Sequence, residues 1–266
     1  MQKVSLSLLL LFLSGCSTYS SNTTSLTYLQ KLSDRHATNV PQNLTSIRYN
    51  ALRDTGMSLG ARGGLSFRAQ SINAMMQPYM PTLDQIFNFE RLVLDNRVLP
   101  PVLTEGRHTL EQADSQTLRV ADRAYIIQSQ AHFISAAPTW RDYLWMRYDT
   151  PEPPDRSLLP RNKREKAIWA DYVEKGWQAG IQQANNIYAQ NLNRLERDFT
   201  GMVRYRSLLA QNMVSAPFVA KIDLGITGDG HSMSINDRVL RITALPALKS
   251  DGQLWQTTLT PERPSE

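Results

Sequence analysis

Residues able to do acid–base or metal chemistry are few in this 266-residue chain and are scattered along it. Its four histidines are His36, His108, His132 and His231. None has a second histidine or a carboxylate at the spacing of zinc ligands, so we predict no metal site. The nucleophile motif Gly-x-Ser-x-Gly is missing, but the members of a Ser-His-Asp triad can lie far apart in a sequence, so a triad stays open. We predict no cofactor, and these patterns identify no catalytic residue.

A pair of carboxylates provides the alternative of an enzyme. Glu105 and Asp114 could cleave a glycan if their carboxyl groups lay about 5–10 Å apart, the separation found in glycosidases. Four tryptophans could line a sugar groove, although tryptophans at helical spacing are more often core residues. They are Trp140, Trp145, Trp169 and Trp177. The corresponding function is an envelope enzyme acting on peptidoglycan, and nothing in the sequence determines the separation of the two carboxylates.

Two smaller features have simpler explanations than catalysis. His132 lies within the extended run AHFI, where we expect a half-buried strand residue. Asp229 and His231 lie at the end of a predicted hairpin, where ordinary turn chemistry accounts for an aspartate.

The stretch LSGCS, residues 13–17, contains the single cysteine of the chain, Cys16. It follows a polar start with one cation, Lys3, and the apolar run 4–13. That order is typical of a secretory signal, and the run is too short for a membrane-spanning helix. An exported chain with one cysteine forms no internal disulfide, so its stability must come from a packed core.

The ending Leu-Ser-Gly-Cys resembles the lipobox of bacterial lipoproteins. The resemblance implies that residues 1–15 are a signal peptide and that Cys16 becomes the acylated first residue of the mature chain. Because Ser17 is not aspartate, it also implies sorting to the outer membrane, with the protein facing the periplasm. An ordinary signal peptide with an incidental cysteine is the alternative.

The stretch GMSLGARGG has glycines at every fourth position, which places them on one face of a helix. They are Gly56, Gly60 and Gly64. Each glycine costs a helix about 1 kcal/mol relative to alanine, so such a row is favoured where another backbone must come close. A phosphate-binding loop is disfavoured because no Gly-Lys-Ser/Thr follows and no strand precedes. We predict close helix packing at this face, and Arg62 argues against a membrane span.

Periodic apolar positions predict that most of the chain is helical. One helix is expected from residue 45 to about residue 77, just before Pro78. A longer amphipathic pattern follows a possible capping box of Asn162 and Glu165 and continues to about residue 210. As one helix this segment would be about 75 Å long, so we expect it to bend or break at a glycine. The candidates are Gly176, Gly180 and Gly201.

The remaining patterns predict a small antiparallel β portion. A short helix over 83–94 precedes three extended runs, which are 102–110, 117–125 and 126–134. A second short helix is expected in APTWRDYLW, and a C-terminal hairpin over 218–245 turns at Gly-Asp-Gly. The expected fold class is α+β, mainly helical, with one long amphipathic helix, a small antiparallel β portion and a C-terminal β-hairpin.

Composition divides the chain into four segments. The signal peptide, 1–15, is followed by the lipidated cysteine and a flexible tether rich in Ser, Thr and Asn, 16–43. Within it, LTYLQKL could form a short helix on contact with a partner. A single domain over 44–250 and a loose tail over 251–266 complete the chain. The net charge of +5 comes from singly scattered basic residues, which gives little support to nucleic-acid binding.

Five stretches together resemble one family. They are ALRDTGMSLGARGGLSFRAQSIN, VLPPVLTEGRHTL, APTWRDYLWM, GWQAGIQQANNIYAQNLNRLERDFTGM and INDRVLRITALP. They look like the DotC family of outer-membrane lipoproteins of type IVB secretion systems, found in Dot/Icm machines and related conjugative plasmids. The resemblance covers roughly residues 45 to 248.

The resemblance implies a structural component of the secretion core complex and no enzymatic activity. It implies that the protein works beside a DotD-like lipoprotein to bring a DotH-like channel subunit to the outer membrane, in a multi-copy ring. The partners expected from it are these two proteins and outer-membrane lipid, with no nucleic acid. Of the family's functional residues, only the lipid-bearing Cys16 carries over to this sequence.

Overall fold

The computed structural model describes residues 25–34, 44–112 and 114–256. Several predicted features lie outside this described part. They are the signal peptide, Cys16, His36, the remaining tether residues and the end of the predicted tail from residue 257 onward. Their assignments stay predictions.

The contacts within the chain form two compact units. Unit 1 contains the described residues up to Phe67 together with Asp149–Gln178. Unit 2 contains Arg68–Tyr148 and the described residues from Ala179 onward. The sequence predicts a single domain over 44–250, whereas the contacts within the chain form two groups.

The described residues form helices and antiparallel strands, which confirms the predicted α+β class. The helices are α1 (Leu26–Lys31), α2 (Ser46–Met76), α3 (Met80–Ile86), α4 (Trp140–Leu144) and α5 (Lys163–Ala210). The strands are β1 (Val98–Leu99), β2 (Val102–Gln112), β3 (Leu118–Ser129), β4 (His132–Phe133), β5 (Phe218–Gly228) and β6 (Met233–Ala244). The strand pairs are β1–β4, β2–β3 and β5–β6, all antiparallel. No helix in the described ranges has the length and hydrophobicity needed to cross a membrane.

The helix α5 is continuous from Lys163 to Ala210, so the predicted break at a glycine is wrong. A Cβ atom at Gly176 would lie 2.2 Å from the carbonyl oxygen of Met57. In unit 2, a Cβ atom at Gly201 would lie 2.5 Å from Cγ1 of Val102. These glycines leave room for neighbouring atoms, so the helix contains them as positions of close packing rather than as breaks.

The start of α5 has the predicted cap in a modified form. The Asn162 side chain accepts a hydrogen bond from the Glu165 N–H at 2.9 Å, as expected for the first residue of a capping box. The Glu165 carboxylate, however, accepts from the N–H of Arg161 rather than from Asn162, at 2.9 Å. The box therefore extends one residue further toward the N-terminus than the sequence motif predicts.

Residues 25–34 are packed, so in this part the prediction of a flexible tether over 16–43 is wrong. Helix α1 begins after Ser25, whose side chain caps its first turn. Leu29 is fully buried, and its carbonyl oxygen accepts the indole N–H of Trp169 at 2.9 Å. The segment LTYLQK is thus helical in contact with its own chain, whereas the sequence suggested a helix formed on contact with a partner.

Unit 2 contains two long hairpins, β2–β3 and β5–β6. The C-terminal hairpin was predicted and is confirmed, with Ile222 opposite Val239 near its middle. In the other hairpin, Leu110 lies opposite Val120. The third predicted extended run is not a separate strand, because β3 continues to Ser129 and only two residues form β4.

Two expectations about short segments of unit 2 also need correction. The helix predicted over 83–94 ends at Ile86, and a separate 3₁₀ turn follows at Phe89–Leu92. The tail predicted to be loose from residue 251 is attached at its beginning. The Gln256 N–H donates to the carbonyl oxygen of Gln211 at 2.8 Å.

Aromatic and aliphatic side chains form the interior of unit 2. Phe89 is 1 % exposed, and its ring stacks on Tyr143 at 5.8 Å and meets Phe199 edge to face at 5.2 Å. A second cluster joins the base of β2 to the end of α5. Its buried members are Leu103, Tyr205, Leu208 and Val214. The second cluster holds the base of hairpin β2–β3 in place.

A buried ion pair joins α2 to α5 in unit 1. Arg48 Nη2 lies 2.9 Å from Glu165 Oε2, and Arg48 Nε lies 3.2 Å from Glu165 Oε1. Glu165 is 3 % exposed. Burial alone raises the pKa of Glu165, but the hydrogen bonds from Arg48 and the Arg161 N–H, with the charges of both arginines, outweigh burial and lower the pKa overall.

We expect Glu165→Gln to reduce the free energy of unfolding at neutral pH by about 3 kcal/mol, because it leaves the Arg48 charge buried without a counter-charge. The folded pKa is lowered, so the ionised carboxylate contributes stability above the unfolded-state pKa, about 4.3. That contribution is lost as the pH falls through the folded pKa. Urea unfolding at neutral and acidic pH should show the gap between wild type and variant narrowing on acidification.

Asp171→Asn is the matched control for this measurement, because it removes an exposed ion pair on the same helix. Its carboxylate lies 2.8 Å from Lys175 Nζ, and both side chains are more than half exposed. The expected loss is below about 1 kcal/mol. Equal losses in the two variants, or a gap that does not change with pH, would contradict the assignment of Arg48–Glu165 as a stabilising buried pair.

Candidate functional site

The candidate site with the most definite geometry is the contact of α2 with α5 in unit 1. We name it the glycine contact and define it by Gly60 and Gly64 of α2 and Gly176 of α5. Residues four apart on a helix lie on the same face, so Gly60 and Gly64 lie on one face of α2. In the structure this face contacts the backbone of α5.

The two helix backbones meet directly at these glycines. A Cβ atom at Gly60 would lie 2.1 Å from the carbonyl oxygen of Val173, and one at Gly64 would lie 2.1 Å from that of Trp177. Gly176 meets α2 in the same way from the opposite side. Real Cβ atoms essentially never approach other heavy atoms within 3.0 Å, so any side chain at these positions forces the backbones apart.

The third glycine of the predicted row has more space. A Cβ atom at Gly56 would lie 3.4 Å from the carbonyl oxygen of Trp169, which is ordinary van der Waals contact. Gly63, which the predicted row does not include, is restricted by a side chain instead, with Leu29 Cδ1 at 2.5 Å. The direct backbone contact therefore begins one turn after Gly56, and the role of the glycine contact is to set the separation of two helices.

Strand β2 holds the two carboxylates of the enzyme alternative apart. Glu105 lies near the base of hairpin β2–β3 and forms ion pairs with Arg107, Arg123 and Arg204 at 3.3, 3.9 and 3.4 Å. Asp114 lies beyond the end of β2, where it accepts the Gln116 N–H at 2.7 Å. Strand residues rise about 3.3 Å each, so the two groups are separated by about 20 Å or more. This separation is larger than the carboxylate spacing of glycosidases, which the enzyme alternative requires.

The described histidine rings form no hydrogen bond to a carboxylate. His132 lies in β4 with Nδ1 3.2 Å from the carbonyl oxygen of Gln130. Its side chain is exposed, so the prediction of a half-buried residue is wrong. In the C-terminal turn, the backbone N–H groups of His231 and Ser232 both donate to Asp229 Oδ1 at 2.8 Å, which lowers the pKa of Asp229 and confirms the turn explanation. Within the described residues, no group of three His, Cys, Asp or Glu side chains could hold a metal ion.

The tryptophans of the suggested sugar groove are mainly core residues, as their helical spacing predicts. Trp140, Trp169 and Trp177 are each at most 5 % exposed. The indole N–H of Trp140 donates to Asp84 Oδ1 at 2.7 Å, within unit 2. A platform for a sugar needs an exposed ring face, so these three side chains do not provide one.

A cavity of about 490 Å³ in unit 2 brings His132, Tyr143 and Asp198 to one lining. The Tyr143 hydroxyl donates to Asp198 Oδ2 at 3.2 Å, and the Arg194 guanidinium lies 4.9 Å from the ring centre. Burial first, and then the charge of Asp198, raises the pKa of Tyr143 to about 12. The hydroxyl is therefore a fixed hydrogen-bond donor at neutral pH, not an activated nucleophile or base.

Sequence reasoning missed the part that Gly176 plays in the glycine contact, because it assigned that residue to a break in α5. A usable signal was present. Gly176 and Gly180 are four residues apart, the same small-xxx-small spacing as the row in α2. The pairing of Arg48 with Glu165 had no such signal, since the two residues are far apart in the sequence.

We expect Gly60→Ala to destabilise the protein and Gly56→Ala to leave it equally or more stable. Both changes raise helix propensity by about 1 kcal/mol. At Gly60 the added methyl meets a backbone oxygen, and overpacking of this kind costs about 1–3 kcal/mol or more. Urea unfolding of the two variants measures the difference, and alanine variants of equal stability would show that the backbones are not in direct contact.

The comparison with known proteins places the chain in a family. Residues 46–257 match the family model described as type IV secretory system, conjugal DNA–protein transfer. This range contains α2, α5, both long hairpins and the whole glycine contact. No match was found among curated proteins. Because the match covers well over half of its length, the chain belongs to this family of type IV secretory system proteins for conjugal DNA–protein transfer.

Proposed function

We propose that the protein is an outer-membrane lipoprotein of the DotC kind and a structural component of the core complex of a type IVB secretion or conjugative transfer apparatus. The observation that carries the proposal is the family match over 46–257, which identifies a protein of type IV secretion. The five stretches that resemble DotC lie within that range and narrow the proposal to the type IVB class.

Anchoring through Cys16 is the first part of the proposed role. The signal-like start and the Leu-Ser-Gly-Cys sequence support it. Each buried methylene of an acyl chain contributes about 0.8 kcal/mol, and one chain alone binds a bilayer only weakly. Acylation of both the thiol and the new amino group would hold the protein at the membrane almost permanently, and Ser17 supports the outer membrane as its destination.

Positioning of other proteins is the second part. Beside a DotD-like lipoprotein, and in several copies arranged in a ring, the protein brings a DotH-like channel subunit to the outer membrane. The long helices and hairpins offer extended surfaces for such contacts. The peptidoglycan-enzyme alternative has lost its two supporting features, since Glu105 and Asp114 lie apart and three of the four tryptophans are buried.

The anchor is tested by Cys16→Ser in the native host. We expect the variant to lose fatty-acid labelling and to leave the outer-membrane fraction, because serine offers no thiol for acylation. Labelling with a tagged fatty acid and density-gradient fractionation provide the measurement. Ser17→Asp is the matched control, expected to keep the label while changing membrane. An acylated Cys16→Ser protein in the outer membrane would rule out the anchor.

The positioning role is tested by deleting this chain from the host. We expect the DotH-like subunit to be made at its usual level but to disappear from the outer-membrane fraction, and to return when the wild-type chain is supplied. Immunodetection in separated membranes measures both. A DotH-like subunit that reaches the outer membrane without this chain would exclude the proposed role.

A further inference from the structure

A cavity of about 660 Å³ in unit 2 is lined by residues of hairpin β2–β3, of the end of α5 and of the segment 248–255. Its apolar wall consists of Leu208, Met213, Leu248 and Trp255. The Trp255 ring is 46 % exposed, and its indole N–H donates to the carbonyl oxygen of Lys249 at 3.0 Å, which holds the ring in place. A cavity of this volume with an apolar wall is typical of a binding site.

The charged groups that line the cavity are both cations. They are Arg123 and Lys249, and among the described residues of the lining none is a carboxylate. The ammonium group of Lys249 donates to the neutral side chain of Asn212. The cavity therefore combines an apolar wall with positive charge.

The positive charge continues on the face of hairpin β2–β3 beside the cavity. Glu105, whose side chain is 10 % exposed, is the shared carboxylate of three ion pairs, with Arg107, Arg123 and Arg204. Three cations around one anion leave an excess of two positive charges. Arg107 lies directly opposite Arg123 in the strand pair, and like charges in that arrangement are destabilising. Their side chains are 69 % and 64 % exposed, so a further anion can reach both.

We propose that this cavity binds an acidic segment of a partner protein, with one apolar side chain of the segment against Trp255 and a carboxylate on Arg107 and Arg123. A guanidinium group can bind a carboxylate through two parallel hydrogen bonds, so arginine suits this ligand. The carboxylate of the partner reduces the excess charge around Glu105 from two to one.

An extended segment fits the site better than a small molecule does. Arg123 belongs both to the cavity and to the group of arginines around Glu105, whereas the cavity lining does not include Arg107. A ligand that fills the cavity and also contacts Arg107 must therefore extend out of the cavity along the hairpin. A peptide with an apolar and an acidic side chain close together can do so.

A nucleic-acid strand fits less well, because the excess of positive charge is confined to the base of the hairpin. Further out on β3, Arg119 Nη1 lies 4.0 Å from Glu111 Oε2, so this cation has its own anion. Asp122, next to Arg123 in the chain, lies on the opposite face of the strand. Binding to a nucleic-acid backbone needs a positively charged groove that follows several phosphates.

The test is the binding of a fluorescein-labelled peptide, EEFEE with blocked ends, to the purified full-length chain in detergent, measured by fluorescence anisotropy. The peptide QQFQQ lacks the acidic side chains, and EESEE lacks the apolar one. We expect EEFEE to bind more tightly than either by about threefold or more, because each of the other peptides lacks one of the two contacts. Its affinity should fall as the salt concentration rises, since the two arginines are exposed.

Arg123→Glu should remove the preference for EEFEE over QQFQQ, because it reverses the charge that the cavity shares with the arginines around Glu105. Arg119→Glu is the matched control. It makes the same change of net charge on the same strand, about 13 Å further out, which is more than the Debye length of about 8 Å at physiological salt. We expect it to bind EEFEE within about twofold of the wild type.

Trp255→Ala tests the apolar contact separately. It should remove the preference for EEFEE over EESEE and keep the preference for EEFEE over QQFQQ, because the arginines are unchanged.

Four results would each overturn the inference. They are equal binding, or no binding, of the three peptides to the wild type, an equal loss of binding in the two arginine variants, an unchanged preference for phenylalanine in Trp255→Ala, and tighter binding of oligothymidylate than of EEFEE. The inference goes beyond the proposed function, because the binding is a property of the purified chain whether or not the chain belongs to a core complex. None of these results bears on the anchoring or positioning role, which are tested in the host.

Discussion

Direct contact of two helix backbones is the constraint on which unit 1 depends. At Gly60, Gly64 and Gly176 the separation of α2 and α5 leaves no room for a Cβ atom. The surrounding contacts follow from that separation. The Trp169 indole N–H reaches the Leu29 carbonyl oxygen and so ties α1 to α5. At the beginning of α5, the carboxylate of Glu165 accepts hydrogen bonds from Arg48 of α2 and from the Arg161 N–H. An ion pair therefore joins α2 to α5 at this end of the contact, in addition to the backbone contact at the glycines.

Unit 2 is organised differently, with hairpins fixed at their bases and exposed further out. Glu105 binds Arg204 of α5 at 3.4 Å, and Arg204 also donates to the Leu103 carbonyl oxygen at 2.8 Å. Tyr205 and Leu103, both fully buried, add apolar packing at the same place. A protein that positions others needs surfaces that are held firmly and still accessible. Hairpin β2–β3 is held at its base by these contacts, and its outer half is exposed.

Local pattern predicted the elements but not the contacts between distant residues. Helix α2 lies within one residue of its predicted ends and the C-terminal hairpin forms as predicted, because periodicity and turn residues are local signals. Helix α1 is too short to be stable alone, and the burial of Leu29 that stabilises it depends on Trp169, far away in the sequence. Gly176 illustrates a second limit of prediction from sequence. A glycine in a helix can indicate a break in that helix or the close approach of another backbone, and only the position of the neighbouring backbone distinguishes the two. The separation of Glu105 from Asp114 depends on the length of β2. Apolar and polar residues alternate only loosely in this part of the sequence, so the end of the strand could not be predicted.

We propose that this chain is a structural part of a secretion core complex. This role is tested most directly by gentle detergent extraction of membranes from the native host, followed by separation by size and identification of the proteins that migrate together. We expect a very large assembly that contains this chain with DotD-like and DotH-like proteins. A single lipoprotein of the size of one chain or one dimer, from cells shown to hold an assembled apparatus, would contradict it.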